Sequence, residues 1–302
     1  MIRKLAVILV LLAFVGGLAF WLASSPRRLD AATLAAVPEG DAARGELVFW
    51  AGGCASCHAA PGSEGEARLQ LSGGVELATP FGTFVTPNIS PHPDGIGGWS
   101  IEEFANAMMR GVSPDGRHYF PAFPYTSYAR MEIGDVADLF AFLRTLPPVA
   151  GETPAHQVAF PYSFRRGIGL WKLLYLDSEP IVAIADASDA ARRGQYLVEG
   201  PSHCGECHTP RSFLGGMDKS RWLAGAPNPA GRGTIPNITP GSSDIGSWSE
   251  ADIANFLETG FTPEFDSAGG QMAEVVKNQA NLPAEDRAAI AAYLRAVPAV
   301  SE

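Results

Sequence analysis

The hydrophobic and polar positions divide the chain into an apolar N-terminus and a longer amphipathic part. Met1–Lys4 is followed by an unbroken apolar run from Leu5 to Ala23. At about 1.5 Å per residue in a helix, these 19 residues nearly match the roughly 30 Å hydrocarbon core of a bilayer. Because the apolar region of a signal peptide is usually shorter, about 7–15 residues, we expect a membrane anchor over residues 1–30; a cleaved signal peptide is the alternative.

Beyond the anchor, apolar side chains recur three and four residues apart, as they do on one face of a helix. The stripes are Ile101, Phe104, Ala105 and Met108; Val136, Leu139, Phe140 and Leu143; and Ile290, Tyr293, Leu294 and Val297. Ser100 and Glu103 form a capping-box pattern at the start of the first stripe, and Ser249 with Asp252 is its weaker acidic variant. A proline follows each of the last two stripes and is expected to stop the helix. No long alternation typical of β-strands occurs, so the sequence predicts a mostly α-helical fold.

The second half of the chain repeats the first. Its matching segments are Cys54-Ala-Ser-Cys57-His58 with Cys204-Gly-Glu-Cys207-His208, Pro87–Pro91 with Pro236–Pro240, and Gly97–Ser100 with Gly246–Ser249. The offsets are 149 or 150 residues throughout. Such regular similarity indicates two copies of one domain, predicted at residues 31–150 and 188–302 and joined by an interdomain linker at residues 151–187. We expect the apolar linker segment Trp171–Leu176 to pack on one of the domains.

Composition and charge agree with two folded domains and exclude one class of function. The chain has 302 residues, of which 46% are hydrophobic and 18% charged, so wholesale disorder is excluded. Its formal net charge of −10 argues against sequence-independent binding of nucleic acid, which needs clustered Lys and Arg. Four cysteines are too few for a disulfide scaffold of this size, so their spacing must decide their role.

That spacing places every cysteine in one of two Cys-x-x-Cys-His motifs. Two thiols three residues apart can each add to one vinyl group of a haem, and the adjacent His58 or His208 then lies beneath the iron as proximal ligand. A zinc site would need the cysteines of the two copies to converge, and a thiol–disulfide redox pair would not need the histidine. The motifs therefore predict two covalently bound c-type haems, on Cys54 and Cys57 and on Cys204 and Cys207. Because such attachment takes place outside the cytoplasmic membrane, we expect the chain from about residue 27 onward in the bacterial periplasm, anchored in the inner membrane.

The second axial ligand of each iron must come from elsewhere, and a methionine sulfur is typical where a high potential is needed. In the second copy, Met272 lies in a glycine-rich segment, expected to be a flexible loop before the final helix. The 149-residue offset places Phe123 at the matching position of the first copy, and phenylalanine cannot bind iron. Met131, expected in the loop before the last helix of that copy, is the best remaining sulfur. His118 or an open site is the alternative.

Several further residues are weaker candidates. Asn88 and Asn237, like Trp99 and Trp248, recur at matching places, where each could bind a haem propionate or wall the haem pocket; packing alone would also explain the tryptophans. Trp222 is a candidate pocket wall. His203 is expected to be a surface or loop residue, and Met109 aligns with Glu258 and is expected to be solvated.

With these motifs, the chain resembles the membrane-anchored cytochrome c subunits that accompany periplasmic dehydrogenases, for example of alcohols or gluconate. The similarity covers nearly everything after the anchor and includes Phe120–Tyr125 and Gly200–Pro210 beside the motifs above. It implies that each half has the helical class I cytochrome c fold. Many members of that family carry three haems and have methionine where this chain has Phe123.

The main hypothesis from the sequence is a di-haem electron carrier rather than an enzyme. We expect it to take electrons from a periplasmic dehydrogenase or similar donor and to pass them toward the respiratory chain, through a quinone, an oxidase or a soluble cytochrome. The alternative is a di-haem enzyme, of the peroxidase or thiosulfate-oxidising type, with an open site at the first haem. A scaffold subunit with structural haems is a third, weaker alternative. No motif of nucleophilic, phosphate-binding or nicotinamide chemistry occurs in the sequence.

Overall fold

The computed structural model describes residues 1–228, 231 and 233–301. Helix α1 (Ile2–Ala23) contains the whole apolar run, and none of its residues is buried. Its 22 residues span roughly 33 Å. With a mean hydropathy of 2.7 it is, among the described residues, the one helix long and apolar enough to cross a membrane, a property that signal sequences share.

The first half is a small helical bundle that follows a short helix, α2 (Ala31–Ala35). Its helices are α3 (Ala42–Ala51), α4 (Cys54–His58), α5 (Ile101–Arg110), α6 (Tyr125–Tyr128) and α7 (Ile133–Leu143). Helix α3 packs against α7, and Gly45 permits the close approach because a methyl group there would lie 1.9 Å from the Asp138 carbonyl oxygen. The core around this crossing buries Phe49, Val136 and Leu139.

The second half repeats this arrangement. Its helices are α9 (Asp189–Glu199), α10 (Gly205–His208), α11 (Glu250–Thr259), α12 (Gly270–Gln279) and α13 (Ala284–Ala296). Helix α9 packs against α13, and a methyl group at Gly194 would lie 1.8 Å from the Ala289 carbonyl oxygen. The second core buries Leu197, Ile290 and Tyr293.

The helices predicted from the sequence are present. The capping boxes at Ser100 and Ser249 both form, each with its partner side chain bonded back to the cap. Val297 alone falls outside its predicted helix, because the residue before Pro298 is extended. Strands are short in the described chain: β1 (Glu76–Thr79) pairs antiparallel with β2 (Gly82–Val85), and β3 (Ala226–Pro227) with β4 (Thr234–Ile235).

The segment between the halves carries helix α8 (Arg165–Tyr175). It contacts both halves: Trp171 Nε1 donates to the Leu214 carbonyl oxygen at 2.9 Å, and Lys172 Nζ donates to the Arg110 carbonyl oxygen at 2.6 Å. The apolar linker segment was predicted to pack on one domain, and this is wrong in part. Leu173 and Leu174 lie at the surface, with 50% and 66% of their area exposed.

Candidate haem centres

The first Cys-x-x-Cys-His motif forms a single helical turn, α4. Gly53, with φ of 58°, supplies the left-handed conformation from which this turn begins. Cys54 and Cys57 are free thiols and are only partly exposed. Burial raises the pKa of Cys54 to about 12, so the thiol is neutral. Two unpaired thiols on one turn, next to a histidine, are the donor set that covalent haem attachment requires.

The second motif has the same geometry at the start and end of α10. Cys204 and Cys207 are free thiols, and burial raises the pKa of Cys204 to about 12. Trp222, predicted to be a pocket wall, is buried against this turn: a methyl group at Gly205 would lie 1.9 Å from its ring. Glycine at this position therefore lets the indole pack directly on the motif backbone. Trp222 Nε1 donates to the Tyr293 hydroxyl at 3.0 Å, which fixes the ring.

Both motif histidines are oriented by a backbone carbonyl. His58 Nδ1 lies 2.8 Å from the Pro87 carbonyl oxygen, and His208 Nδ1 lies 2.8 Å from that of Pro236. Because a carbonyl oxygen can only accept, Nδ1 carries the proton and Nε2 keeps its lone pair. Burial lowers the pKa of both imidazoles, against a smaller opposing effect of these carbonyls. A neutral ring that presents Nε2 fits the proximal ligand of a haem iron.

The recurrent asparagines hold these carbonyls in place. Asn88 Nδ2 donates to the Val149 carbonyl oxygen at 2.8 Å, and its Oδ1 accepts from Ser90 N at 2.9 Å. Asn237 makes the matching bonds, to the Val300 carbonyl oxygen at 2.7 Å and from Thr239 N at 2.8 Å. These contacts are those of a clamp, a role not expected from the sequence: each amide ties the proline segment to the chain that follows the last helix of its half.

The methionines lie in different surroundings in the two halves. Met272 is in the first turn of α12, partly buried against the second core, and its predicted loop is wrong. Gly269 is the N-cap of α12, and Gly270, with a φ of 56°, is its first residue. Met131 lies in the predicted turn, between α6 and α7, and is 4% exposed within the first core. Met109 is buried on α5, so its predicted solvation is wrong; Glu258 reaches solvent and pairs with Arg287.

Phe123 occupies the place in the first half that Met272 has in the second. Isolated bridges pair Val112 with His118 and Phe261 with Ser267, at the same 149-residue offset. The Phe123 ring meets three tyrosine rings edge-on at centroid distances of 5.7 to 6.3 Å, those of Tyr119, Tyr125 and Tyr128. His118 is directed away from this cluster, because its Nε2 donates to the Ser24 carbonyl oxygen at 2.9 Å.

The two motifs face each other across the interface between the halves. Each is held by the side chain of its third residue, which directly precedes the second cysteine. Ser56 Oγ of the first motif accepts from Asn278 Nδ2 at 2.7 Å. Glu206 Oε1 of the second motif accepts from the hydroxyls of Thr126 at 2.8 Å and Ser127 at 3.0 Å. The same motif position thus anchors each half to the other.

Further contacts close the same interface. His203 lies in a loop, as predicted, and this loop is at the interface: its Nε2 donates to the Gly52 carbonyl oxygen at 3.1 Å, and its ring meets that of Tyr128 at 5.6 Å. Burial raises the pKa of Cys57, and the nearby Cys207 thiol of the other motif raises it further. These interface residues had no signal in the sequence, because a repeat pattern describes each copy and not the contact between copies.

A buried polar cluster supports the interface beside the motifs. Arg68 is 7% exposed and donates to Asn278 Oδ1 at 2.8 Å, and its guanidinium lies 5.7 Å from the Trp50 ring centroid. Trp50 packs against the cores of both halves. Gln279 Nε2 donates to the Ala51 carbonyl oxygen at 3.3 Å. Helix α12, which carries Met272, is therefore also the helix that docks on the first half.

Comparisons with known proteins agree with this geometry. The sequence profile of the cytochrome c family matches residues 42–147. The chain is 57% identical over 299 residues to a diheme cytochrome c-type protein of Cereibacter sphaeroides, with 99% of each chain covered. It is 39% identical to the fructose dehydrogenase cytochrome subunit of Gluconobacter japonicus and 35% identical to the alcohol dehydrogenase (quinone) cytochrome c subunit of Gluconobacter oxydans. Each of these two matches covers 86% of this chain but only 53% and 55% of the relative, so the chain spans about half the length of those subunits.

Proposed function

The chain belongs to the family of di-haem c-type cytochromes, and we propose that it is a membrane-tethered electron carrier in which the two haems lie on either side of one interface. It carries two c-type haems and is an electron-transfer protein, not an enzyme in its own right. When bound, the haem irons supply the chemistry by cycling between the ferric and ferrous states. The residues of the chain hold these groups, set their surroundings and bring them together.

We assign one haem to each half, on the donor sets described above. Cys54 and Cys57 attach the first haem and Cys204 and Cys207 the second, with His58 and His208 as proximal ligands. Met272 is assigned as the second axial ligand in the second half. Met131 has that role in the first half, where the matching position is a phenylalanine. On this assignment, residues 31–150 and 188–302 form two tandem class I cytochrome c domains joined by residues 151–187.

One observation carries the carrier function: the residue before the second cysteine of each motif is bonded to the opposite half. Glu206 binds Thr126 and Ser127, and Ser56 binds Asn278. These bonds fix the two motifs against each other, so electrons can cross between the haems without leaving the protein. One haem can then receive electrons from a donor while the other passes them to an acceptor, as a relay needs.

The partners and location follow from the anchor and the relatives. Helix α1 holds the haem domains at the outer face of the inner membrane, in the periplasm. A dehydrogenase is the electron donor, in keeping with relatives that are cytochrome subunits of fructose, alcohol and gluconate dehydrogenases. Electrons leave toward the respiratory chain, by way of a quinone, an oxidase or a soluble cytochrome. The negative surface of the carrier favours partners with basic docking faces.

Haem content and spin state test this function together. We expect the mass of the purified full chain to show two covalent haems. Replacing Cys54 and Cys57 by serine removes one haem, and the matched replacement of Cys204 and Cys207 removes the other. Stepwise reduction of the wild type gives two low-spin haems that do not bind carbon monoxide. A high-spin haem that binds carbon monoxide in the untreated protein would instead favour the di-haem enzyme and contradict the proposal.

A further inference from the structure

A basic cavity lies where the anchor helix meets α8, far along the chain from either motif. Its walls include Ala23 and Ser25 at the end of α1, Arg27 just after it, and Arg110, His118 and Lys172 of the folded domains. The cavity has a volume of about 190 Å³. By the same measure, roughly 10–15 Å³ suffices to hold one water, so the space accommodates a group much larger than water.

The charges around this cavity are of one sign. Arg27, Arg110 and Lys172 line it, and no carboxylate is among the described residues that do. Lys172 caps helix α5 by donating to the Arg110 and Gly111 carbonyl oxygens. Burial, and then the neighbouring Arg110, lower its pKa to about 7. Basic groups gathered in a partly desolvated place without a counter-charge favour the binding of an anion.

Three polar atoms at this place lack hydrogen-bond partners among the described residues. They are Arg110 Nε, His118 Nδ1 and Ser24 Oγ, and each is buried. Leaving a buried polar atom without a partner is costly, so such atoms point to a missing ligand or to bound water. His118 is 2% exposed, and its Nε2 already donates to the Ser24 carbonyl oxygen. Burial, and then the nearby Lys172, lower the pKa of the ring, so His118 is neutral and its Nδ1 is an acceptor that a bound water can satisfy.

The junction of α1 and α8 determines what can reach this cavity. Gly169 of α8 lies so close to the end of α1 that a methyl group there would be 2.3 Å from the Ser24 carbonyl oxygen. The guanidinium of Arg166 lies 3.6 Å from the Trp21 ring centroid, which ties the last turn of α1 to α8. Leu173 lines the cavity and is half exposed, and the next residue of α8, Leu174, is 66% exposed. If α1 spans a bilayer, the cavity therefore lies at the level of the headgroups, with leucines at its rim.

We propose that this cavity binds the phosphate of an anionic phospholipid, with the unpaired Nε of Arg110 as donor and with Leu173 and Leu174 against the acyl chains. The proposal rests on the proposed insertion of α1 in the membrane, which brings lipid to the site. The ligand chemistry is a phosphate monoanion. The apolar rim favours a lipid as its source over free phosphate, because free phosphate makes no use of exposed leucines.

Native mass spectrometry of the full-length holo-protein tests this proposal. The protein is released from nanodiscs of phosphatidylcholine with about one fifth phosphatidylglycerol, and the retained lipids are counted. We expect one phosphatidylglycerol on the wild type and roughly tenfold lower occupancy on Arg110→Gln, because that variant loses the charged hydrogen bond. Arg110→Lys keeps the charge but not the arginine fork and is expected between the two. Arg192→Gln, on the opposite half, is the matched control and retains the lipid.

Two further measurements distinguish a specific lipid site from unselective lipid binding and from a site for free phosphate. Equal retention of phosphatidylcholine and phosphatidylglycerol by the wild type, or unchanged retention by Arg110→Gln, would overturn the proposal. An adduct of inorganic phosphate as abundant as that of phosphatidylglycerol, formed in lipid-free detergent, would assign the site to free phosphate and overturn the lipid. Unchanged haem spectra and melting temperatures show that the variants are folded. The intact mass reports separately whether residues 1–23 are present, so loss of the anchor is distinguished from loss of the lipid site.

Discussion

The two haem centres are alike on the histidine side and differ on the opposite side. In both halves, a proline carbonyl orients the motif histidine at 2.8 Å. Helix packing matches as well: Arg44 pairs with Asp138 in the first half as Arg193 pairs with Asp286 in the second. The motif histidines and the packing of the terminal helices thus have the same geometry in both copies.

The opposite side has diverged. The second half has Met272 in the first turn of α12, whereas the first half has Phe123 within a cluster of tyrosine rings. Since the axial ligand and its surroundings set the potential of a haem, we expect two different potentials. The comparison teaches that the two copies share the geometry around their motif histidines and differ at the matching positions of Phe123 and Met272.

The largest expected effect comes from removing the sulfur of the second half. Met272→Ala should make the second haem high-spin and lower its potential by roughly a hundred millivolts or more, within the range of about 0.8 V that axial ligands cover. Spectroelectrochemistry of the full chain measures both changes. Met217→Leu, a buried methionine of the same core, is the matched control and should leave both unchanged. If the second haem stays low-spin in Met272→Ala, the assignment of this ligand is wrong.

Met131→Ala sharpens the comparison in the first half. On our assignment, it makes the first haem high-spin while the second keeps its spectrum. Phe123→Met then supplies a sulfur at the position that matches Met272. Restoration of the low-spin spectrum in the double variant would show that the two halves differ by this side chain. A low-spin first haem in Met131→Ala alone would contradict the role of Met131.

An added methyl group at the crossing of the terminal helices is expected to destabilise both halves equally. Gly45→Ala and Gly194→Ala each place a methyl group within 2 Å of a helix carbonyl oxygen. Each should lower the free energy of unfolding by an amount at the upper end of the roughly 1–3 kcal/mol typical of overpacking. Thermal melts of the holo-protein measure this. Gly98→Ala, where the added methyl group meets no atom within 4 Å, is the control.

Glu206→Ala should weaken the interface between the halves and lower the free energy of separating them by about 2 kcal/mol. The variant leaves the hydroxyls of Thr126 and Ser127 without their acceptor and removes the partner of Arg211. Denaturant unfolding followed at each haem should show the halves separating at lower denaturant. Glu250→Ala, an exposed residue at the start of α11, serves as control. Coincident and unshifted transitions in Glu206→Ala would mean that this contact does not hold the halves together.

The last expected effect is a pH dependence at the contact between Lys172 of α8 and the first half. Burial and the neighbouring Arg110 lower the pKa of Lys172 from 10.5 to about 7. Between these values the unfolded chain binds a proton that the folded chain does not, so the free energy of unfolding rises with pH, by up to about 1.4 kcal/mol per pH unit. Lys172→Met should flatten this rise in melting temperature between pH 7 and pH 9.5. Parallel slopes in the variant and the wild type would contradict it.

Much of the fold could be predicted from the sequence because its signals are local. Ser100 and Ser249 cap helices, and the apolar stripe after Ser100 also indicates its helix. The spacing within the two Cys-x-x-Cys-His motifs indicates covalent haem attachment. The start of α12 was missed because Gly269 and Gly270 are typical of loops, whereas the structure has Gly269 as the N-cap and Gly270 as the first residue of the helix.

The interface could not be predicted, because its contacts join residues far apart in the chain. Ser56 and Asn278 are 222 residues apart, and Thr126 and Glu206 are 80 apart. Met109 was misjudged for a different reason. Its alignment with Glu258 predicted contact with solvent, whereas its side chain packs within the first core.

The central claim is that electrons pass between the haems inside one chain, across the face where Ser56 and Glu206 meet the opposite halves. Flash reduction of one haem in the purified full chain, followed by the absorbance of the other, tests it most directly. We expect a re-equilibration rate that does not depend on protein concentration and that falls in Glu206→Ala. A rate proportional to protein concentration would show transfer between molecules and would contradict the account.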